Sequence, residues 1–426
     1  MRAGDSVEVT VEKAVYRGLG LARHEGRVVF VPRGRPGDRL RVRIESVEKG
    51  FARATAEALL EEAGTRRGSP CPLFAQCGGC AYQHVDYVAQ LGLKEAILRE
   101  SLSRSGVAWE GPLPVRASPE EAWRTRATFH LQEVAGSWRL GLHAEGTHRV
   151  VDLDRCLQLS PAMNRTQRAL AAALGDHPQW ARRVAHVEMA ESLDGSQLAV
   201  ALESDLEAGA APELTALADA VPWLTGLGVM AGRRYVHLRG SPWTDSTVQG
   251  VRLRAHVRSF FQANRFLVGD LVEAVLGLLP PGGTLLDLYA GVGLFSLSAA
   301  ARAEVVRAAE ANPFAVEDAR YNASRARQGN VQVRDGDVVQ ALRSWPAEPG
   351  ERVVLDPPRT GAGPEVLRTL AARRPSVIVY VSCDPPTLGR DLKTLGQVGY
   401  RVDSLQALDM FPDTHHLEAV ARVVPA

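Results

Sequence analysis

Cys383 is the residue whose neighbours best equip it for chemistry. It follows a β-branched run, Val377-Ile378-Val379-Tyr380-Val381, that reads as a buried strand. Asp384-Pro385-Pro386 then stops the strand, because proline offers no N–H to a ladder. A helix is expected over 387–395, with Thr387 as its N-cap. The thiol would stand at the carboxyl end of a strand, the edge along which open α/β sheets bind ligands. A thiolate there can attack an electron-poor carbon, whereas an isolated cysteine is more often a small buried hydrophobe.

Three more cysteines crowd together. Cys71, Cys77 and Cys80 are spaced C-x5-C-x2-C in CPLFAQCGGC, and Cys156 is the candidate fourth sulfur once Cys383 is set aside. Gly78-Gly79 lets the backbone fold tightly around a metal centre. Zinc and an iron–sulfur cluster both accept four cysteines, although the x5 gap is unusual for a zinc ribbon. Five cysteines in all suit four ligands plus one reactive thiol better than a secreted disulfide framework.

A set of acids at strand ends completes the inventory. TLLDLYAGVGLFSLSAAA, from Thr284, reads as strand, G-x-G turn and helix, bringing backbone N–H groups to a ligand at Gly291. Ser296 replaces the last glycine of a dinucleotide fingerprint, which argues against NAD. The strand VVRAAE ends in Glu310, about twenty residues after the glycines, where an acid can accept ribose hydroxyls. VQVRD leads to Asp337, and ERVVLDPPRTG places Asp356 at a further strand end.

These residues need three regions to position them. Residues 1–60 read as a small all-β module of short alternating strands with turns at GLG, HEG and RGRPGD. Five arginines and a single acid, Asp38, lie between Arg33 and Arg43, which suits either a phosphate backbone or a plain solvated surface. An amphipathic helix over 83–105 opens a mostly β region, 61–255. In it, Arg124, Arg126 and Arg139 face either phosphates or solvent. An α/β region, 256–426, carries the acids and Cys383.

Composition narrows the class. A net charge of +1 over 426 residues gives no global field, so a nucleic-acid partner must be met by local patches. The amino terminus lacks an apolar signal region and no run approaches the ~18 apolar residues of a membrane span. A cytoplasmic monomer that does not engage membranes is expected.

Five motifs in order, FFQANRFL, LDLYAGVGLFSL, DPPRTG, SCDPPTLGRDL and THHLE, resemble the RNA uracil-C5 methyltransferase family over nearly the whole chain. The amino-terminal run, with Gly18-Leu19-Gly20 and Pro36-Gly37-Asp38, resembles a TRAM domain, an OB-like RNA-binding module. The resemblance implies a Rossmann-like S-adenosylmethionine methyltransferase domain behind an OB-like barrel and a mostly β central domain. It also implies a 4Fe-4S cluster on Cys71, Cys77, Cys80 and Cys156. Gln262, Tyr289, Gly291, Glu310, Asp337 and Asp356 would line the S-adenosylmethionine pocket. Leu294 stands where some relatives carry a polar residue.

The implied chemistry follows from the substrate. Uracil carbon 5 is a poor nucleophile until a thiolate, here Cys383, adds to carbon 6. Glu418 is the family's position for the base that later removes the carbon-5 proton. Relatives with both the TRAM module and four cysteines point to 23S ribosomal RNA, with transfer RNA as the alternative. A radical S-adenosylmethionine enzyme would place its cysteines as C-x3-C-x2-C, which this chain does not. A catalytically dead RNA-binding protein with a structural metal centre is the reading from another class, and intact Cys383 and Glu418 argue against it.

Overall fold

The computed structural model describes residues 1–64 and 66–426. Five strands, β1 (Ser6–Val15), β2 (Leu19–His24), β3 (Arg27–Pro32), β4 (Arg39–Val47) and β5 (Phe51–Glu61), close into a barrel in the order β1-β2-β3-β5-β4. Strict alternation in β4 sends Leu40, Val42 and Ile44 inward to meet Val9, Val11, Val29 and Val31. The outward arginines are not free. Arg39 pairs with Glu8 and Glu61, Arg41 with Glu8, and Arg43 with Glu57. Arg35 is buried, and Arg33 lies over the Phe74 ring and pairs with Glu145. These ion pairs offset much of the positive charge of the stretch in the free protein.

The helix α1 (Tyr87–Arg104) follows, then the short strand β6 (Val115–Arg116). The central sheet comprises β7 (Arg126–Val134), β8 (Ser137–His143), β9 (Val150–Asp152), β10 (Val184–Glu191), β11 (Leu198–Ser204), β12 (Gly226–Ala231) and β13 (Arg234–Gly240). They stand in the order β13-β12-β11-β10-β7-β8-β9, with α2 (Pro161–Asp176) packed on β8 and two short helices, α3 (Pro178–Ala181) and α4 (Leu217–Ala220), beside it. A hairpin, β14 (Trp243–Val248) and β15 (Val251–His256), leads out of this layer.

The remainder is a doubly wound sheet. In chain order it runs α5 (Val268–Gly277), β16 (Thr284–Leu288), α6 (Leu294–Ala299), β17 (Val305–Glu310), α7 (Pro313–Arg325), β18 (Val331–Asp335) and α8 (Val338–Ser344). It continues β19 (Arg352–Leu355), α9 (Gly363–Ala372), β20 (Val377–Ser382), α10 (Pro385–Gln397), β21 (Tyr400–Leu408) and β22 (Glu418–Pro425). The spatial order is β18-β17-β16-β19-β20-β22-β21-β6, with the first five parallel. The winding reverses between β16 and β19, so a crevice opens at their carboxyl ends. Strands β16, β19 and β20 are buried throughout, which is why they read as largely apolar runs, with Asp287 a buried exception within β16. Two apolar cores cover the two faces.

The helix expected from Thr387 starts earlier. Pro385 and Pro386 occupy its first turn, where a missing N–H costs nothing, and Asp384 is the cap, its side chain accepting from the Thr387 N–H at 2.9 Å.

What binds the layers together is the loop 409–417, between β21 and β22. Lys94 and Asp409 form an ion pair that is 1% and 0% exposed, and Lys94 also donates to the Phe411 carbonyl. Gln90 donates to Asp413 Oδ1 at 2.9 Å, and Arg67 reaches the same carboxylate at 3.1 Å. The Ala81 and Tyr82 N–H groups both donate to the Asp413 carbonyl, at 2.7 and 2.9 Å. Asn264 donates to the Met410 carbonyl at 3.2 Å. Removing one partner of the Lys94–Asp409 pair would strand the other charge, at a cost of roughly 3–5 kcal/mol.

Candidate active site

The carboxyl ends of the parallel strands bring most of the candidate residues to one edge. Tyr289, at φ 64, and Gly291 and Gly293, at φ 55 and 89, make the turn from β16 into α6. A tyrosine held left-handed costs about 1–3 kcal/mol, and such strain is concentrated at binding sites. Glu310 ends β17 and takes the Gly291 N–H at 2.9 Å, together with the N–H groups of Ala311 and Asn312. The carboxylate thus braces the glycine turn. Asp337 caps α8, accepting from Val339 and Gln340. Asp356, just beyond β19, accepts from Gln262 Nε2 at 3.0 Å, which brings the FFQANRFL segment to the crevice. Phe260, in the same segment, is 59% exposed and lies beside Gly291.

Cys383 and Glu418 meet because their strands are neighbours. Strand β22 runs antiparallel to β20 with Ser382 opposite Ala419, so the residue after one and the residue beginning the other arrive side by side. Burial pushes the Cys383 thiol up to about 12; Glu418 and Asp356 add to this, while the Arg359 guanidinium opposes it. Burial also holds Glu418 well above the usual carboxylate range, helped by Asp356 and opposed by Arg359. Asp356 is raised to about 8 by burial and by Asp287, against the Gln262 hydrogen bond. A thiol and two carboxyls therefore share a poorly solvated pocket and resist simultaneous ionisation.

Arg359 was legible only as the residue after Asp-Pro-Pro, and its role beside the thiol becomes visible in three dimensions. His415 and His416 have adjoining rings, with centroids 4.1 Å apart, and burial lowers both, to about 4 and about 2. They are neutral at physiological pH.

The four remaining cysteines are free, and they lie within reach of one another's charge. Burial raises Cys77, Cys80 and Cys156. Gln83 and Gln158 donate to Cys80 Sγ at 3.2 and 3.1 Å, and the Gly79 N–H to Cys77 Sγ at 3.4 Å. Arg124 faces this group with its Nε buried and without a partner among the described residues. Arg126 instead donates to the Val257 carbonyl, so of the central arginines it is a structural one. Among the described residues, no three His, Cys, Asp or Glu side chains form a set that would hold a metal ion.

A doubly wound sheet with acids at the ends of β17, β18 and β19 and a glycine turn at the switch point suits a nucleotide-type cofactor. Residues 2–56 match the TRAM domain, and residues 86–337 and 346–423 match the tRNA (Uracil-5-)-methyltransferase family. The chain belongs to that family: it is an S-adenosylmethionine-dependent RNA uracil-5 methyltransferase. It is 32% identical to an uncharacterized RNA methyltransferase of Halalkalibacterium halodurans, covering 98% of this chain and 96% of that one. An uncharacterized RNA methyltransferase of Aquifex aeolicus is 31% identical over 97% of each chain. The crystal structure of Pyrococcus abyssi tRNA (uracil-54, C5)-methyltransferase with S-adenosyl-L-homocysteine superposes with a TM-score of 0.74 at 26% identity, covering 98% of this chain and 99% of that one. No helix is long and apolar enough to cross a membrane among the described residues.

The charge arrangement predicts how the thiol titrates. In the free enzyme, alkylation of Cys383 followed by peptide mass spectrometry should still be accelerating well above pH ~8.5, where an ordinary thiol levels off. Arg359→Ala removes the opposing cation and should slow it further. Glu418→Gln should speed it wherever the native carboxyl would be ionised. A Cys383 titration at or below about 8.5 contradicts this electrostatic picture.

Proposed function

We propose that this enzyme methylates carbon 5 of a uridine through a covalent adduct on Cys383, with Glu418 as the base. The juxtaposition of these two residues across β20 and β22 carries the reading. Cys383 Sγ, as thiolate, forms a bond to carbon 6, and the electrons of the 5,6 double bond move onto the carbon-4 carbonyl oxygen. S-Adenosylmethionine supplies, when bound, a methyl group on a positively charged sulfonium sulfur. Carbon 5 takes that methyl as the carbon–sulfur bond breaks. Glu418 then removes the carbon-5 proton, the double bond re-forms, and the thiolate leaves. Burial makes Glu418, once ionised, a strong proton acceptor inside a dry pocket. Gln262, Tyr289, Gly291, Glu310, Asp337 and Asp356 are the residues proposed to hold the cofactor.

The four cysteines fit a 4Fe-4S cluster by their chemistry. Buried thiols that raise one another and N–H groups aimed at sulfur, with Arg124 and Arg33 the cations facing them, describe thiolates that a metal centre would stabilise. Each iron of a cluster takes one thiolate, so the ligands need not converge on one point. Methyl transfer moves no net electrons, so the cluster is structural: Asp413, two of whose carbonyl bonds come from Ala81 and Tyr82, ties it to the loop before Glu418.

For the target, the TRAM module together with four cysteines supports 23S ribosomal RNA. The archaeal enzyme of similar fold, named for uracil 54 of transfer RNA, favours the second reading. A cleft of about 720 Å³ between barrel and central sheet, lined by Arg17, Arg53, Arg124, His130 and His415, offers the RNA a path. The protein is taken to act as a cytoplasmic monomer.

Glu418→Gln should complete methyl transfer and then stall, leaving radiolabelled RNA bonded to Cys383 on a denaturing gel. Adding Cys383→Ala should abolish the band. The band should form with 23S ribosomal RNA in preference to transfer RNA, and the reverse preference would reassign the target. A band that survives loss of Cys383 overturns the nucleophile.

Anaerobically purified protein should be brown and carry about four irons per chain. Replacing Cys71, Cys77, Cys80 or Cys156 by serine should bleach it. One zinc and no iron, in cells supplied with iron, would exclude the cluster.

A further inference from the structure

The turn between β1 and β2 leaves the barrel and ends beside the nucleophile. Tyr16, on this turn, donates its hydroxyl to Asp384 Oδ2 at 2.6 Å, across 368 residues of sequence. The other oxygen of that carboxylate caps α10 through the Thr387 N–H. Asp384 is therefore held from both sides, and it is bonded directly to Cys383. The Tyr16 ring is part of the small apolar cluster of Ala81, Tyr82, Val85 and Ile97, and it stands edge-on to His415 with centroids 5.2 Å apart.

The turn has little freedom to slide. Gly18, at φ +71, approaches the cysteine segment so closely that a Cβ would lie 2.6 Å from that of Ala81. Lys13 and Glu100 add an exposed ion pair at 2.7 Å between β1 and α1, worth little in itself. Apolar packing alone would accept phenylalanine at position 16. The hydroxyl is spent on a carboxylate adjoining the reactive thiol, and burial keeps that hydroxyl protonated, as a donor.

We propose that Tyr16 is a positioning residue of the methyl-transfer site, through which the docked barrel fixes the Cys383–Asp384 turn. The barrel then contributes to the chemical step as well as to holding RNA. This rests on Cys383 being the nucleophile.

The test is the rate of covalent band formation at saturating RNA. In the Glu418→Gln background, Tyr16→Phe should slow the band about ten-fold, the scale of a small misplacement of a reacting atom. Binding of the same RNA should stay within about two-fold. Asp384→Asn, which keeps an oxygen for the cap but no carboxylate for Tyr16, should slow it similarly. Tyr16→Phe and Asp384→Asn together should be no worse than the slower single variant, because both break one bond. Tyr82→Phe trims a hydroxyl without a partner from the same apolar cluster and should leave the rate unchanged, separating positioning from packing. An unchanged band rate in Tyr16→Phe, or additive losses in the double variant, would overturn the proposal. If Glu418→Gln alone gives no band, the covalent reading is what has failed. Turnover of Tyr16→Phe at saturating RNA then decides for Tyr16: a ten-fold loss supports its role, and an unchanged value removes it.

Discussion

A thiol and two carboxyls share one poorly solvated pocket, and Arg359 acts on the thiol and on Glu418 as the opposing cation. Three acids in low dielectric cannot all ionise, so the free site retains protons. The proposed reaction starts with a thiolate and needs a carboxylate that can accept a proton, so Cys383 and Glu418 must first give up the protons that burial holds on them. In the resting pocket Arg359 favours the thiolate, but burial outweighs it.

Holding such a pocket together requires rigidity around it, and the fold supplies this through the loop 409–417. Every region of the chain outside the barrel grips that loop. Helix α1 does so with Lys94 and Gln90, the cysteine segment with backbone N–H groups, and the FFQANRFL segment with Asn264. The barrel approaches the adjoining turn through Tyr16. The cysteine segment thus has a mechanical part in the fold, because the Ala81 and Tyr82 N–H groups hold one end of that loop.

The sequence was most legible where local rules decide the structure. The buried strands, the glycine turn and the acids after the strands follow from short apolar runs and punctuation. The start of α10 was misread because an aspartate cap followed by two prolines at a helix start resembles a strand terminator. The partners of the β4 arginines, Glu8, Glu57 and Glu61, could not be read from the sequence because they lie on other strands. Tyr16, Lys94 and Gln90 carried no local signal at all. Their partners are more than three hundred residues away, and only the packing of distant layers gives a buried polar side chain its meaning.

The central claim is that Cys383 bonds to carbon 6 and that a proton must leave carbon 5 before release. It can be tested on the unaltered enzyme with RNA whose uridines are replaced by 5-fluorouridine. Fluorine cannot depart as a cation, so methyl transfer should proceed and elimination should fail. Mass spectrometry of the digested complex should then show the Cys383 peptide carrying one methylated, fluorinated dihydrouridine nucleotide. Methylated RNA free of protein, or the nucleotide on any other residue, would contradict the account.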